Sequence, residues 1–174
     1  MSSQPTKNSH LSIRSKFFEN LYQHHFIYEV AKHLVNRDPM EYLTILKAEV
    51  DDDGIDLILK TAKVTRHIQL KTLGKRNTGG KYQIKETLSK LPGGCVIWIC
   101  YDPEDIYNPF CYHFLGKRGN GRFVDLSQYP QALKRAKDKE GNPIDRTGYR
   151  NIRLQDTQNR SWKLEKLVDH MFPK

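Results

Sequence analysis

Apolar residues recur between positions 15 and 36 at the spacing of a helix, and no glycine or proline interrupts them. The apolar positions are too many for one narrow stripe. The predicted helix is therefore buried on two sides, breaks near His24 and His25, or also forms a dimer contact. Asp38 precedes Pro39 and is pushed out of helical geometry, so we expect the helix to end there.

Three strands are predicted next, over residues 42–50, 55–60 and 64–72. The acidic segment 51–54 ends in a glycine and favours a turn between the first two strands. Only residues 61–63 separate the second strand from the third, so these two are predicted to pair as a hairpin.

The rest of the chain predicts a covered central strand and a less regular C-terminal third. A short helix is predicted over residues 82–90, and the apolar run 95–101 is typical of a strand covered on both faces. The C-terminal third predicts strands at 110–115 and 151–154, an irregular basic stretch at 133–149 and a closing helix at 162–171. This order indicates an α/β fold in which helices flank a central mixed sheet of four to five strands.

A chain of 174 residues has the length of one domain. We expect a disordered tail over residues 1–11 and a single domain over 12–174. Its core is predicted at about 15–101, with a basic elaboration over 102–174.

Composition bears on where the protein is located. The longest apolar stretch is far shorter than the roughly 20 residues that cross a bilayer, and the first ten residues lack the apolar core of a signal peptide. We therefore expect a cytoplasmic protein of prokaryotic type with no membrane contact. Cys95, Cys100 and Cys111 form no Cys-x-x-Cys motif and are expected to be buried thiols rather than a zinc site or a disulfide framework.

The net charge of +9 favours an anionic partner, and its distribution is more informative than its total. Residues 41–56 hold six acids and one base, whereas residues 60–90 hold nine bases and one acid. Residues 117–166 hold thirteen bases and six acids. An acidic segment between two basic ones suits a metal centre in a phosphate-binding channel, although a solvated charged surface is the simpler alternative.

The residues with the most distinctive chemistry lie on the second and third predicted strands. Alternate side chains of a strand face the same way, so Gln69 and Lys71 share a face about 6.5–7 Å apart. Asp56 takes the polar side of its own strand, and pairing of the two strands can bring the three together. Carboxylate and amide oxygens suit a hard divalent cation, with the Leu70 carbonyl as a third ligand. The Lys71 ammonium can stabilise charge on a phosphate, so the pattern predicts phosphodiester cleavage with Mg²⁺, for which Mn²⁺ substitutes.

A plainer interpretation of the same residues stays open. Asp56 and Lys71 can form an ordinary cross-strand ion pair, and Gln69 can simply face solvent.

These residues resemble the motif of the PD-(D/E)xK nuclease superfamily, which includes restriction enzymes, Holliday-junction resolvases and some homing endonucleases. The resemblance covers roughly residues 15–101 and implies a restriction-endonuclease-like core of a helix, a three-strand meander, a second helix and a fourth strand. It implies a metal ligand at Asp56 and the catalytic lysine at Lys71. The family's usual glutamate is Gln69 here, as in the Gln-x-Lys variant of Mrr-type restriction enzymes and certain homing endonucleases. Ile55 stands where the family has proline.

The family often adds a glutamate from its first helix, which falls on Glu29 first and on Glu19 second. A divalent cation prefers anionic ligands, so the missing carboxylate at position 69 makes this acid more necessary. On an amphipathic helix either acid can equally be solvated surface. The catalytic set implied by the resemblance is Asp56, Gln69, Lys71 and Glu29, and the Mg²⁺ ligands are Asp56, Gln69, the Leu70 carbonyl and Glu29.

Two basic groups are candidates for contacts with a nucleic-acid backbone. The first follows the third strand and consists of Lys75, Arg76 and Lys81. The second lies in the C-terminal third and consists of Lys117, Arg118, Arg122, Lys134, Arg135 and Lys137.

The expected function is a magnesium-dependent DNA endonuclease of restriction or homing type. One such centre cuts one strand, so cleavage of double-stranded DNA favours a homodimer. Two alternatives stay open: a Holliday-junction resolvase or repair nuclease, and a catalytically inactive nucleic-acid-binding module on the same fold.

Overall fold

The computed structural model describes residues 15–47, 54–75, 80–102, 104–105, 108–109, 111–137, 141, 143–157 and 159–174. Of residues 15–16, 134–137, 143–145 and 159–160 it describes the backbone alone. The tail predicted over residues 1–11, most of the acidic turn and Arg76 lie outside the described residues.

The first helix, α1, spans Ser15–Arg37 without a break at His24 or His25. It buries one stripe of residues spaced four apart: Tyr22, Phe26, Val30 and Leu34. Its remaining large apolar side chains include three exposed ones: Phe17, Tyr28 and Val35. The helix is therefore neither broken nor buried on two sides, and two of the three predicted alternatives are wrong.

Within the described residues, nine strands form two sheets. The strands are β1 (Thr44–Lys47), β2 (Leu57–Lys60), β3 (Thr65–Gly74), β4 (Lys81–Lys85), β5 (Gly94–Tyr101), β6 (Cys111–Gly116), β7 (Gln131–Lys137), β8 (Pro143–Arg153) and β9 (Asn159–Trp162). Short 3-10 helices lie at Glu86–Lys90, Leu126–Gln128 and Leu154–Asp156, and a second α-helix, α2, spans Leu164–Met171.

The larger sheet has six strands in the order β1-β2-β3-β5-β6-β9. The first three form the predicted antiparallel meander, and β3 pairs with β5 in parallel. Antiparallel pairing of β5 with β6 and of β6 with β9 completes the sheet. The α/β class and the mixed sheet are confirmed, with more strands than expected.

Each face of the larger sheet has its own cover. Helix α1 lies on one face, where Tyr22 stacks on Tyr101 with ring centres 5.0 Å apart. The smaller sheet, in the order β4-β8-β7, covers the other face, where the Tyr82 ring meets the edge of Trp98 at 5.6 Å. Residues 94–100 of β5 are consequently all buried, as the apolar run predicted.

The cover of this second face corrects two predictions. The helix expected over residues 82–90 is the strand β4 followed by a 3-10 helix, and the irregular basic stretch is the antiparallel pair β7–β8. Strand β4 pairs with β8 from Lys81↔Arg153 to Lys85↔Tyr149. Such distant pairing overrides local preference and leaves little trace in the local pattern. A small sheet therefore lies where the resemblance implied a helix.

The end of the chain returns to α1. Helix α2 begins later than predicted, because Trp162 belongs to β9. His33 lies 3.1 Å from the Asp169 carboxylate, and Arg37 donates to the Phe172 carbonyl at 2.7 Å. Among the described residues, no helix has both the length and the apolar run that crossing a bilayer requires.

Candidate active site

Asp56 lies just before β2 begins, at the point where the chain joins the edge of β3. Its N–H donates to the Ile68 carbonyl at 2.9 Å, and its carboxylate accepts from the Leu70 N–H at 2.7 Å. The β2–β3 ladder ends at Leu57↔Ile68. A side chain thus continues the ladder for one more bond, and this bond fixes the orientation of the carboxylate.

The same geometry directs the Leu70 carbonyl. In an antiparallel ladder, the N–H and C=O of one residue point toward the same neighbouring strand. The Leu70 N–H points to Asp56, so the Leu70 carbonyl opens into the gap beyond the last paired residue of β2. Asp56 and this carbonyl therefore border one gap, as a shared cation would require.

Helix α1 forms the other wall of the site. The Gln23 amide donates to the Asp56 carbonyl at 3.2 Å, and Glu19 lies one turn earlier on the same face of the helix. A cavity of about 370 Å³ opens between helix and sheet. It is lined by Glu19, Asn20, Tyr22, Gln23, Asp56, Leu70, Lys71, Thr72 and Ile99.

Glu29, the first choice for the helix acid, lies elsewhere. It is ten residues beyond Glu19 on α1, which is about 15 Å along the axis. Its carboxylate lies 3.4 Å from Lys32 Nζ, and it lines a separate cavity of about 350 Å³ beside Glu165. The structure brings Glu19 to Asp56 and leaves Glu29 apart, so the second choice fits the geometry better.

Gln69 is buried rather than facing solvent, with 3% of its surface exposed. Among the described residues, its side-chain oxygen has no hydrogen-bond partner. The smaller sheet covers this face of β3, and the cavity opens on the other face, where Leu70 and Thr72 lie beside α1. Gln69 is next to the cavity and does not line it.

Gly54 lets the chain pass close to β4 and Gln69 before it reaches Asp56. Its φ is +68°, and a Cβ there would lie 2.7 Å from the Lys85 Cβ and 3.3 Å from the Gln69 amide nitrogen. Only glycine has both the conformation and the space. Two residues before Asp56, this contact links β4 to the site.

Lys71 is half-buried and belongs to the lining of the cavity. Its side chain starts on the same face of β3 as Gln69, because Lys71 pairs with Trp98, which faces the smaller sheet. The cross-strand ion pair with Asp56 stays an open alternative.

Sequence reasoning missed the α1 residues around Glu19, and Tyr22 is the most informative of them. Burial raises the pKa of Tyr22, with Tyr101 and Asp105 adding to the effect, so the hydroxyl stays protonated. No described residue accepts its hydrogen bond. The signal was available in the helical spacing, since Tyr22 and Gln23 are three and four residues from Glu19.

The structure places the predicted basic residues in separate regions. Lys117, Arg118 and Arg122 lie near the start of β3, where Arg66 donates to the Lys117 carbonyl at 3.0 Å. Six residues of strand, about 20 Å, separate that end from Lys71. Lys75 lies at the site end and its ammonium is 2.7 Å from Asp102. Of Lys134, Arg135 and Lys137, only the backbone in β7 is described.

The smaller sheet joins the predicted Lys81 to a basic surface whose other residues the sequence did not single out. Lys81 lies opposite Arg153, and Lys85 lies opposite Tyr149, so all four side chains share a face. The Arg146 guanidinium stacks 3.8 Å from the centre of the Tyr149 ring. We call this set (Lys81, Lys85, Arg146, Tyr149 and Arg153) the β4–β8 basic face. It adjoins the site, because Lys85 contacts Gly54.

Comparison of the chain with models of known protein families gave no match, and comparison with curated protein sequences gave none. The site must therefore be interpreted from its own geometry. The donors around the gap are two carboxylates and a backbone carbonyl, with the buried Gln69 oxygen beside them. Oxygen donors of this kind fit Mg²⁺ or Mn²⁺.

Proposed function

We propose that this protein is a divalent-metal-dependent endonuclease that hydrolyses phosphodiester bonds of double-stranded DNA. One observation carries the proposal: Asp56, Glu19, Leu70 and Lys71 line a single cavity where β2 leaves β3. Oxygen donors border this space, which is large enough for a phosphodiester, and Lys71 lies at its edge.

Each residue has a role that its position supports. The Leu70 N–H orients the Asp56 carboxylate, and Glu19 faces it from α1. These two carboxylates and the Leu70 carbonyl would hold Mg²⁺, which supplies charge neutralisation and lowers the pKa of a bound water. Lys71 stabilises the negative charge that develops on the scissile phosphate. Tyr22 lines the cavity from α1 and would help to position the phosphate by contact.

Binding of DNA is assigned to charges near the cavity. The β4–β8 basic face adjoins the site through the contact between Lys85 and Gly54. Arginine and lysine side chains on such a face bind backbone phosphates without regard to sequence. Cleavage of both strands requires two centres, and the exposed Phe17 and Tyr28 on α1 offer a surface for a homodimer.

A second function is favoured by one observation, the burial of Gln69. Where the family resemblance implies a metal-binding glutamate, this chain has a neutral amide that does not line the cavity. A site with one carboxylate fewer binds Mg²⁺ less tightly. The alternative is a catalytically inactive nucleic-acid-binding module, which would bind DNA without metal and leave it intact.

Nicking of supercoiled plasmid separates the two functions. Wild-type protein with Mg²⁺ or Mn²⁺ should convert supercoiled plasmid to the nicked form. Asp56→Asn should lower the rate about a thousandfold, because removal of an anionic ligand costs several kcal/mol of transition-state stabilisation. Branched and linear substrates, compared in parallel, distinguish a resolvase from an enzyme of restriction or homing type.

Asp38→Asn is the matched control, because Asp38 is an exposed acid at the end of α1 and remote from the cavity. DNA binding, measured separately, should survive in both variants. A wild-type protein that binds DNA and leaves every substrate intact would contradict the nuclease proposal and support the inactive module.

A further inference from the structure

Two cysteines and a histidine meet on the larger sheet, away from the cavity. Cys100 of β5 lies directly opposite Cys111 of β6, and His113 lies opposite Trp98. Positions two apart share a face, so Cys100, Cys111 and His113 all project from the same side of two adjacent strands. One sulfur or nitrogen atom from each lies within 4.8 Å of the others.

The surroundings of this cluster suit a soft metal ion. Cys100 and Cys111 are buried free thiols, as expected, while His113 is only half-buried. A zinc site is not what the spacing of the cysteines predicted. Thiolate sulfur and imidazole nitrogen are the donors that Zn²⁺ prefers, at about 2.3 Å and about 2.0 Å. Neighbouring ligands around such an ion are roughly 3.7 Å apart, so small side-chain rotations would close the cluster.

We propose that Cys100, Cys111 and His113 bind a Zn²⁺ ion, with water as the fourth ligand on the half-buried side of His113. This site is independent of the proposed nuclease function. Binding deprotonates both thiols, and the two protons leave to solvent. The ion then joins the second-to-last residue of β5 to the first residue of β6.

Position separates this site from the oxygen donors around Asp56. Lys71 pairs with Trp98 and Trp98 pairs with His113, so about 10 Å of sheet lies between Lys71 and His113. Chemistry separates them too, because sulfur ligands select Zn²⁺ and disfavour Mg²⁺. Two cations of different hardness can thus occupy one sheet without competing.

A disulfide is the competing chemistry for the two thiols, since they face each other in register. It would need an external oxidant and would leave His113 without a role. Zinc uses all three donors and needs no oxidant.

The first measurement is the metal content of protein purified without added metal, together with titration of chelator-treated protein with Co²⁺. We expect about one Zn²⁺ per chain and, with Co²⁺, a sulfur-to-cobalt charge-transfer absorption with the visible bands of a tetrahedral ion. Cys100→Ala, Cys111→Ala and His113→Gln should each lower Zn²⁺ affinity by more than about 100-fold. Losing a hydrogen-bond partner of a ligand already costs about 10- to 100-fold in affinity, and losing the ligand itself costs more. Removal of zinc should also lower Tm.

Cys95→Ala is the matched control. Cys95 is a buried thiol on the same strand, but its side chain points to the opposite face of the sheet. It should keep wild-type Zn²⁺ affinity, and so should Asp56→Asn. Circular dichroism verifies that each variant is folded.

Three results would overturn the proposal, and the first two need no variant. One is the absence of a charge-transfer absorption from wild-type protein with Co²⁺. Another is an intact mass lower by two hydrogens in protein isolated under reducing conditions, which would identify a disulfide. The third is loss of Zn²⁺ binding in Asp56→Asn, which would place the ion at the other site.

Discussion

The two ends of β3 differ in the charge that they carry. At the Leu70 end, two carboxylates and a carbonyl border an open cavity that suits a cation from solution. At the Thr65 end the protein supplies its own cation: Arg66 is fully buried, and its guanidinium donates to the carbonyls of Lys117 and Gly119 and lies over Phe114. One strand thus has an open end and a closed end.

The difference indicates where function and stability reside. At the closed end, backbone carbonyls accept from Nη1 of the buried guanidinium, while its Nε and Nη2 have no acceptor among the described residues. The open end has oxygen donors where a neighbouring strand has stopped, so the residues there are arranged for something that the fold itself does not supply. Substitutions at the two ends should therefore separate loss of stability from loss of activity.

Removing the charge at the closed end should have the largest effect on stability. Arg66→Ala leaves a cavity and two carbonyls without their donor, so we expect the free energy of unfolding to fall by about 3 kcal/mol. Asp56→Asn retains an oxygen that accepts from the Leu70 N–H and should cost less than about 1 kcal/mol. Urea denaturation measures both.

Arg118→Ala is the control for Arg66→Ala, because Arg118 is exposed at the same end and should change stability by less than about 0.5 kcal/mol. If Asp56→Asn destabilised the protein as much as Arg66→Ala, the open end would be structural as well.

The lysines of the two ends should differ in their effect on cleavage. Lys71→Met removes the charge proposed to stabilise the scissile phosphate, and we expect about a hundredfold slower nicking. Lys117→Met, about 20 Å away and exposed, should change nicking by less than about twofold at physiological salt. Equal losses would mean that both ends contact the DNA as one surface.

The acids of α1 test the open end alone. Glu19→Gln should lower nicking about tenfold and raise the Mg²⁺ concentration needed for half-maximal rate, because it removes an anionic ligand. Glu29→Gln, on the same helix, should behave as wild type. The opposite result would restore Glu29 to the site and would require α1 to shift along its axis.

The smallest expected effect is on the pH dependence of stability at the closed end. Burial lowers the pKa of His170, and the charges of Arg66, Arg118 and Lys166 lower it further. As pH falls, His170 takes up a proton near its ordinary pKa of 6.5 in the unfolded chain, and only at lower pH in the folded protein. Stability is therefore lost as pH falls from about 6.5 toward the lower pKa of the folded state. His170→Gln should flatten this slope. Thermal unfolding between about pH 8 and about pH 5 measures it, and an unchanged slope would contradict the assignment.

Local patterns predicted the first half of the fold well. The helix α1, the meander β1–β3 and the buried strand β5 depend on spacing and short turns, which a sequence displays directly. The smaller sheet was missed because β4 pairs with β8, and contacts between such distant segments leave little local trace.

The errors at the site have the same origin. The burial of Gln69 depends on the smaller sheet, so no pattern within β3 could predict it. The choice between Glu19 and Glu29 depends on where α1 lies along the sheet, and two acids of one helix look alike in sequence. The contact between Gln23 and Asp56 fixes that position.

The pairing of β4 with β8 also has a consequence for the order of folding. Lys81 reaches its partner Arg153 only after more than seventy further residues have been synthesised. Until then the face of β5 that carries Trp98 is not covered by the complete smaller sheet, and Gln69 beside Asp56 stays exposed to solvent. On the ribosome, the residues that line the cavity emerge before the cover of Gln69 does. A nascent chain that ends at Tyr101 therefore contains Glu19, Asp56, Gln69 and Lys71 but lacks β7 and β8, which complete the smaller sheet over Gln69.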